Sequence, residues 1–210
     1  MSSPSRADRN PDSSESVATS LRERKKAKTR RTIQEQALRL FAERGYEATT
    51  VEQIAEASEI SPSTFFRYFP TKEDVVVQDD YDPLLIAEIV RQPAGLSPLP
   101  AVRAAFRAAF DELSPEELEQ TLFRAKLSLS VPAVRVRTAE GLFTTVDALA
   151  QAIAERSGAD QDSPAVRTFA GAVMGAMLPA IFSWVEQDGA QPLPDLVDEA
   201  IGYLEAGLPI

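Results

Sequence analysis

The apolar positions of this chain fall on helical spacing almost from end to end. Between Arg22 and Arg44, Ile33, Ala37, Leu40 and Phe41 return every three or four residues and predict a long helix with one apolar stripe. Gly45 is its expected C-terminal cap. Thr49 or Thr50 can cap a second helix that turns Val51, Ile54, Ala55 and Ser58 to one side. Beyond Ile60, Ser61 caps a third, with Pro62 in its first turn, where no amide partner is needed. Phe65 and Phe69 then face inward, and Pro70 stops the helix. Thr71 opens a fourth, with Asp74 three residues on, close to a capping box. It is expected to run to about residue 91 with a break or kink at Pro83, where Asp82 can cap a new start.

After a Pro-rich loop at 93–100, helices are expected over about 100–113, 115–130, 132–157, 163–188 and 194–207. No segment alternates apolar and polar residues with β-branched enrichment, so no sheet is expected. The expected fold class is all-α: a three-helix helix-turn-helix domain over 21–75 and a helical domain over 76–210. Residues 1–20, rich in Ser, Pro, Asp and Asn, read as a disordered tail. No apolar stretch follows the N-terminal charges, so no leader is expected.

Composition changes the picture in one direction. The 210 residues include no histidine and no cysteine, which removes thiolate and imidazole metal ligands, the cysteine nucleophile and the usual general base near neutral pH. No G-x-S-x-G or paired-carboxylate signature appears, so no enzyme, metal or cofactor is expected. The net charge of −10 argues against nucleic acid only if it is evenly spread, and it is not. Residues 1–75 carry a net +1 and residues 76–210 a net −11. Within the first part, Arg22 to Arg31 holds seven positive charges against one negative. A charge run is usually a solvated face, but this one precedes the helix-turn-helix pattern, and Arg24 and Lys28 are candidates to touch phosphate.

In a helix-turn-helix the second helix enters the major groove with its N-terminal residues at base edges. Ser61, Ser63 and Thr64 are short hydrogen-bonding side chains at that end, where the helix dipole favours phosphate. Phe66, Arg67 and Tyr68 lie on or beside the outward face. Arg67 can reach guanine or phosphate, Tyr68 can donate its hydroxyl to phosphate, and Lys72 supplies a point charge. The plainer alternative is a three-helix structural unit in which these hydroxyls only cap.

Across about 50 residues, F-x-x-x-G-Y from Phe41, T-T-V-x-x-I-A from Thr49 and F-R-Y-F-P-T-K-E from Phe66 follow one another in order. This stretch resembles the TetR family DNA-binding domain. The resemblance implies DNA contacts from Thr50, Ser61, Ser63, Thr64, Arg67, Tyr68 and Lys72. Two residues depart from the family pattern. Glu59 stands where the turn usually has Gly, at a cost of about 1 kcal/mol if φ is positive. Phe66 stands where Tyr is common, trading a phosphate hydroxyl contact for possible contact with a thymine methyl.

The same resemblance implies a second domain that dimerises and binds an effector, with helices 163–188 and 194–207 forming a four-helix bundle across a two-fold axis. Thr168 to Val185 is an uncharged run of 18 residues, long enough for a membrane span, but a buried interface helix is expected and no membrane. Gly171, Ala172, Gly175 and Ala176 give it a small-residue face, for a partner subunit or a neighbouring helix. Arg124, Lys126, Arg135 and Arg137 lie in 14 residues without an acid. They are either a surface patch partnered by Glu117 and Glu119 or the recognition site for an anionic ligand. The order from Arg124 through Pro132–Ala133–Val134–Arg135 to Arg137 resembles TetR relatives that bind acyl-CoA-like ligands. The apolar part of such a ligand needs a tunnel among Phe106, Phe110, Leu122, Leu127, Phe143, Met174, Met177 and Trp184, residues that otherwise read as ordinary core. The effector candidates are Phe106, Phe110, Arg124, Arg135, Phe143 and Met177. The expected protein is a cytoplasmic homodimeric repressor that binds a double-stranded DNA operator and is relieved by a small molecule. The alternative is a constitutive DNA-binding dimer whose second domain only dimerises or docks a protein.

Overall fold

The computed structural model describes residues 11–78 and 81–209. Among these the regular structure is all helical, and the chain divides into two compact units, Met1–Thr71 and Lys72–Ile210.

The first unit holds α1 (Pro11–Arg44), α2 (Val51–Ala57) and α3 (Pro62–Tyr68). Its core is the stripe read from the sequence: Ile33, Ala37, Leu40 and Phe41 of α1 are buried, as are Ile54, Ala55, Phe65 and Phe69. Gly45 ends α1 at φ +85°, with its amide on the Phe41 carbonyl at 2.9 Å. Thr49, almost fully buried, donates its hydroxyl to the Gly45 carbonyl at 2.9 Å and so fixes the corner between α1 and α2. Thr50 caps α2 in a reciprocal capping box with Gln53.

The α2–α3 turn puts Glu59 at φ +56°. The Glu59 amide donates to Glu56 O at 3.0 Å and the Ile60 amide to Ala55 O at 2.9 Å. That pair of bonds is a Schellman motif with a glutamate in the left-handed position glycine usually fills. Ser61 then caps α3, accepting from the Thr64 amide, with Pro62 in the first turn.

Helix α1 departs from expectation at its start. Residues 1–10 of the expected tail lie outside the described residues, but from Pro11 onward the chain is already helical. Once Arg22–Arg44 has nucleated, each added turn costs little, so low hydrophobicity alone does not end a helix.

The second unit holds α4 (Asp74–Val77), α5 (Tyr81–Arg91), α6 (Pro98–Asp111), α7 (Pro115–Ser130), α8 (Pro132–Ser157), α9 (Pro164–Glu186) and α10 (Leu193–Glu205). The helix expected over 71–91 is two helices. It begins at Asp74 rather than Thr71, and it breaks at Gln78, whose backbone is extended. Pro83 falls in the first turn of α5, where its missing amide costs nothing, so it does not mark the break. The units divide at residue 71 rather than 75 because α4 packs on α7 and α8.

Helices α6 to α10 each carry proline in their first turn, and α6 begins at Pro98, inside the segment read as a Pro-rich loop, because proline suits a first turn. Val166, Ala170, Val173, Met177, Ala180 and Trp184 form a single buried stripe down α9. They join Ile89, Phe106, Leu149, Ile153, Val197 and Ile201 in one core. Arg156 staples the α5–α6 connection, donating to the carbonyls of Ile89, Gln92, Pro93 and Leu96. Arg103 and Arg107 of α6 pair with Asp195, Asp198 and Glu205, tying α6 to α10.

Relieving the left-handed strain is expected to stabilise the first unit: Glu59→Gly should raise the unfolding free energy by about 1 kcal/mol in urea denaturation. Unchanged or lower stability would contradict strain at this turn.

Candidate nucleic-acid interface

Helix α3 is anchored by what it buries. Phe65 and Phe69 are fully buried, their ring centroids 5.9 Å apart, and the Arg30 guanidinium of α1 sits 4.8 Å from the Phe69 ring centroid. Such a cation–π contact adds about 0.5–1 kcal/mol. The anchoring leaves the opposite face outward: Phe66 is half-exposed and Arg67 exposed, while Tyr68 is half-buried. At the N-terminal end, Ser61 and Ser63 are exposed and Thr64 is half-buried. The Ser61 hydroxyl lies 3.0 Å from the hydroxyls of both Ser63 and Thr64. This small hydroxyl network is the cap, and it also offers donors at the positive end of the helix. Thr50 is exposed at the start of α2. Beside it, Glu52 is held below the usual carboxylate range, by a backbone hydrogen bond first and by the Thr50 side chain second. Lys72, half-buried, is the first residue of the second unit.

The N-terminal stretch of α1 does something the charge count did not reveal. Arg22, Glu23, Lys25, Lys26 and Thr29 line a cleft whose other wall is Arg67 and Tyr68 of α3. Arg24 and Lys28, the candidates from the charge run, are exposed and are not part of that lining. Their spacing puts them on another flank of α1, with Arg31, which pairs with Glu35 at 2.9 Å. Counting back from Ile33 by four, seven, eight and eleven residues gives Thr29, Lys26, Lys25 and Arg22, so the phase of the apolar stripe was the signal that separates the two flanks.

The basic cluster of the second unit does not stay together as a patch. Arg124 is buried, its Nε donating to the Val76 carbonyl at 2.7 Å and its Nη2 to Val77 at 3.5 Å. Arg137 reaches the fully buried Asp74 at 2.8 Å and Glu140 at 2.8 Å. Donating hydrogen bonds to Glu140 first and to Asp74 second pushes its pKa further up. Lys126 pairs with Asp188. Asp74, Glu140 and Asp188 thus answer cations of this cluster, while Glu117 closes the capping box of α7 with Ser114. Arg135 is exposed on α8. Of the apolar candidates, Phe106 and Met177 belong to the core and Phe110 packs against it, stacked on Phe106 at 4.6 Å. Phe143 is 77% exposed and belongs to no part of that core.

Known proteins resolve the family. Residues 33–78 match the family model described as bacterial regulatory proteins, tetR family, and residues 96–209 match the MftR C-terminal domain. The HTH-type transcriptional regulator TcmR of Streptomyces glaucescens is 38% identical over 164 residues, covering 75% of this chain and 73% of its own. The chain belongs to the TetR family of bacterial transcriptional regulators. Within that family, MftR of Mycobacterium tuberculosis is 26% identical over 188 residues, 88% of this chain and 93% of its own. The repressor FadR of Thermus thermophilus, solved in complex with lauroyl-CoA, superposes with a TM-score of 0.56 at 25% identity, covering 86% of this chain and 95% of that one. For a TetR-family member, the left-handed Glu59 shows that the turn geometry persists without its usual glycine.

Replacing the two most differently placed cations of the cluster should separate structure from surface. Arg124→Met strands a buried carbonyl and should lower the unfolding free energy by about 1–3 kcal/mol. Arg135→Met should stay within about 0.5 kcal/mol of the parent chain. Equal losses in urea denaturation would contradict the structural role of Arg124.

Proposed function

We propose that this TetR-family regulator acts in the cytoplasm as a homodimeric repressor, each subunit reading one half-site of a palindromic operator through α3. One observation carries the reading: Phe65 and Phe69 are buried completely while Phe66, Arg67 and the Ser61–Ser63 end of the same helix face outward. A helix held so firmly by one face, with hydrogen-bond donors and an aromatic edge on the other, suits a major groove. Thr50, Ser61, Ser63, Thr64, Phe66, Arg67, Tyr68 and Lys72 are its proposed contacts. Dimerisation through α9 and α10 is supported by their surface. Gly171, Ala172, Gly175 and Pro179 are exposed along α9, as are Phe182 on α9 (43%) and Tyr203 on α10 (50%). Among the described residues nothing beyond the helix's own backbone lies within 4 Å of where a Cβ of Gly171 or Gly175 would sit, so these glycines serve no close approach there.

The effector reading is acyl-CoA-like. It is supported by the lauroyl-CoA complex of Thermus thermophilus FadR and by the exposed cation Arg135. Arg135 and Leu149, a core neighbour of Phe106, are separated by about 21 Å along α8 at about 1.5 Å per residue. A ligand serving both ends is extended, charged at one end and apolar at the other. In this reading the effector shifts α7 or α8, and α4, gripped by Arg124 and Arg137, moves with them.

The DNA reading is tested with a duplex selected from random-sequence DNA by the chain itself. Tyr68→Phe and Lys72→Ala should weaken binding to every duplex, and Lys72→Ala should lower the slope of log affinity against log salt by about 1. Unchanged affinity in both variants would overturn the placement of α3. For the effector, lauroyl-CoA at about 100 times its Kd should stabilise the chain by about 2.7 kcal/mol and release the duplex. Arg135→Glu should abolish both effects while sparing DNA binding. No thermal shift with lauroyl-CoA would favour a constitutive DNA-binding dimer.

A further inference from the structure

The inward stripe of α1 changes character along its length. In the body of the first unit it is Ile33, Ala37, Leu40 and Phe41, all buried. Continued toward the N-terminus in the same phase, it becomes Thr29, Lys26, Lys25 and Arg22, three of them cations. Lysine and arginine on a face that packs against protein would carry a heavy desolvation cost. Here Arg22, Lys25 and Lys26 are exposed, and they look across a cleft at Arg67 and Tyr68. The cleft therefore gathers four cations, one acid in Glu23, and the hydroxyls of Thr29 and Tyr68.

We infer that this cleft, between the N-terminal extension of α1 and the C-terminal end of α3, grips the phosphate backbone of the same DNA that α3 reads. The inference rests on the proposed DNA-binding function and adds to it a sequence-independent contact through Arg22, Lys25 and Lys26. Charge complementarity names the occupant, and continuity fixes its register, since one wall of the cleft consists of residues at the end of the reading helix. From Arg22 to Thr29 the helix rises about 10 Å at about 1.5 Å per residue. One DNA strand presents a phosphate per about 3.4 Å of axis, so the cleft spans about three. The flank bearing Arg24, Lys28 and Arg31 also carries three cations, Arg31 paired with Glu35, but its helical phase sets it opposite the cleft.

Two triple variants of the full chain decide it, since both remove three positive charges from one helix. Arg22→Gln/Lys25→Gln/Lys26→Gln alters the cleft; Arg24→Gln/Lys28→Gln/Arg31→Gln alters the other flank. Both are exposed positions, and far-ultraviolet circular dichroism confirms that each variant keeps its helix content. Binding is measured by fluorescence anisotropy across a salt series, on the duplex selected by the parent chain and on base-substituted versions of it. The cleft variant should lower the salt slope by about 2–3, at about 0.9 per phosphate contact, and weaken every duplex by the same factor. The other triple should lower it by less than about 1. Lys25→Arg/Lys26→Arg should retain the parent slope. Equal losses from the two triples, or an unchanged slope in the cleft variant, would overturn the inference while leaving α3 as the reader. A parent chain that binds neither the selected duplex nor random DNA would overturn the DNA reading and the cleft with it.

Discussion

The grip of Arg124 and Arg137 on α4 is the constraint that organises the second unit around its first residues. A four-residue helix has no stability of its own, because nucleation costs more than one turn returns. It exists here because Arg124 of α7 donates to the Val76 and Val77 carbonyls and Arg137 of α8 reaches buried Asp74. Asp74 also accepts from Gln78 at 3.0 Å, so α4 is tied at both ends. The DNA-binding unit ends at Thr71, only three residues before. Breaking such a pair by removing one partner strands a buried charge, which is why the grip resists partial loosening. It is a natural place for a ligand acting on α7 or α8 to be felt.

Much of this was legible in the sequence, for identifiable reasons. Helices α6 to α10 were placed to within about two residues, and each has proline in its first turn. The first unit was legible because Ile33, Ala37, Leu40, Phe41, Phe65 and Phe69 keep strict helical spacing, and because Gly45, Thr50 and Ser61 cap as their chemistry predicts. The failures have equally physical causes. Pro83 drew attention as a helix breaker, yet proline in a first turn breaks nothing, and the interruption at Gln78 carries no strong local signal. Composition predicted disorder at 11–20, where an adjoining helix extends.

The candidate sites divide along the same line. The exposure of the hydroxyls and aromatics on α3 was legible because their position in the helix defines it. How the basic cluster is partnered was not legible, because charge is visible in sequence but its partner is not: Arg137 pairs with Asp74, 63 residues before it, and Lys126 with Asp188, 62 residues after it. From the α1 run Arg24 and Lys28 were singled out, whereas the helical phase sets Arg22, Lys25 and Lys26 along the cleft and those two on another flank. The net charge of −10 likewise conceals a basic ten-residue stretch, Arg22 to Arg31, ahead of a net −11 over residues 76–210.

The central claim is that two copies of one buried-anchored helix read two major-groove half-sites. Methylation interference on the duplex selected by the full chain tests it most directly, because modification at guanine N7 blocks the major groove alone. Two clusters of interfering guanines are predicted on one face of the duplex, separated by about one helical turn, roughly 34–36 Å, or a multiple of it. A single cluster, or binding indifferent to N7 methylation, would contradict the account.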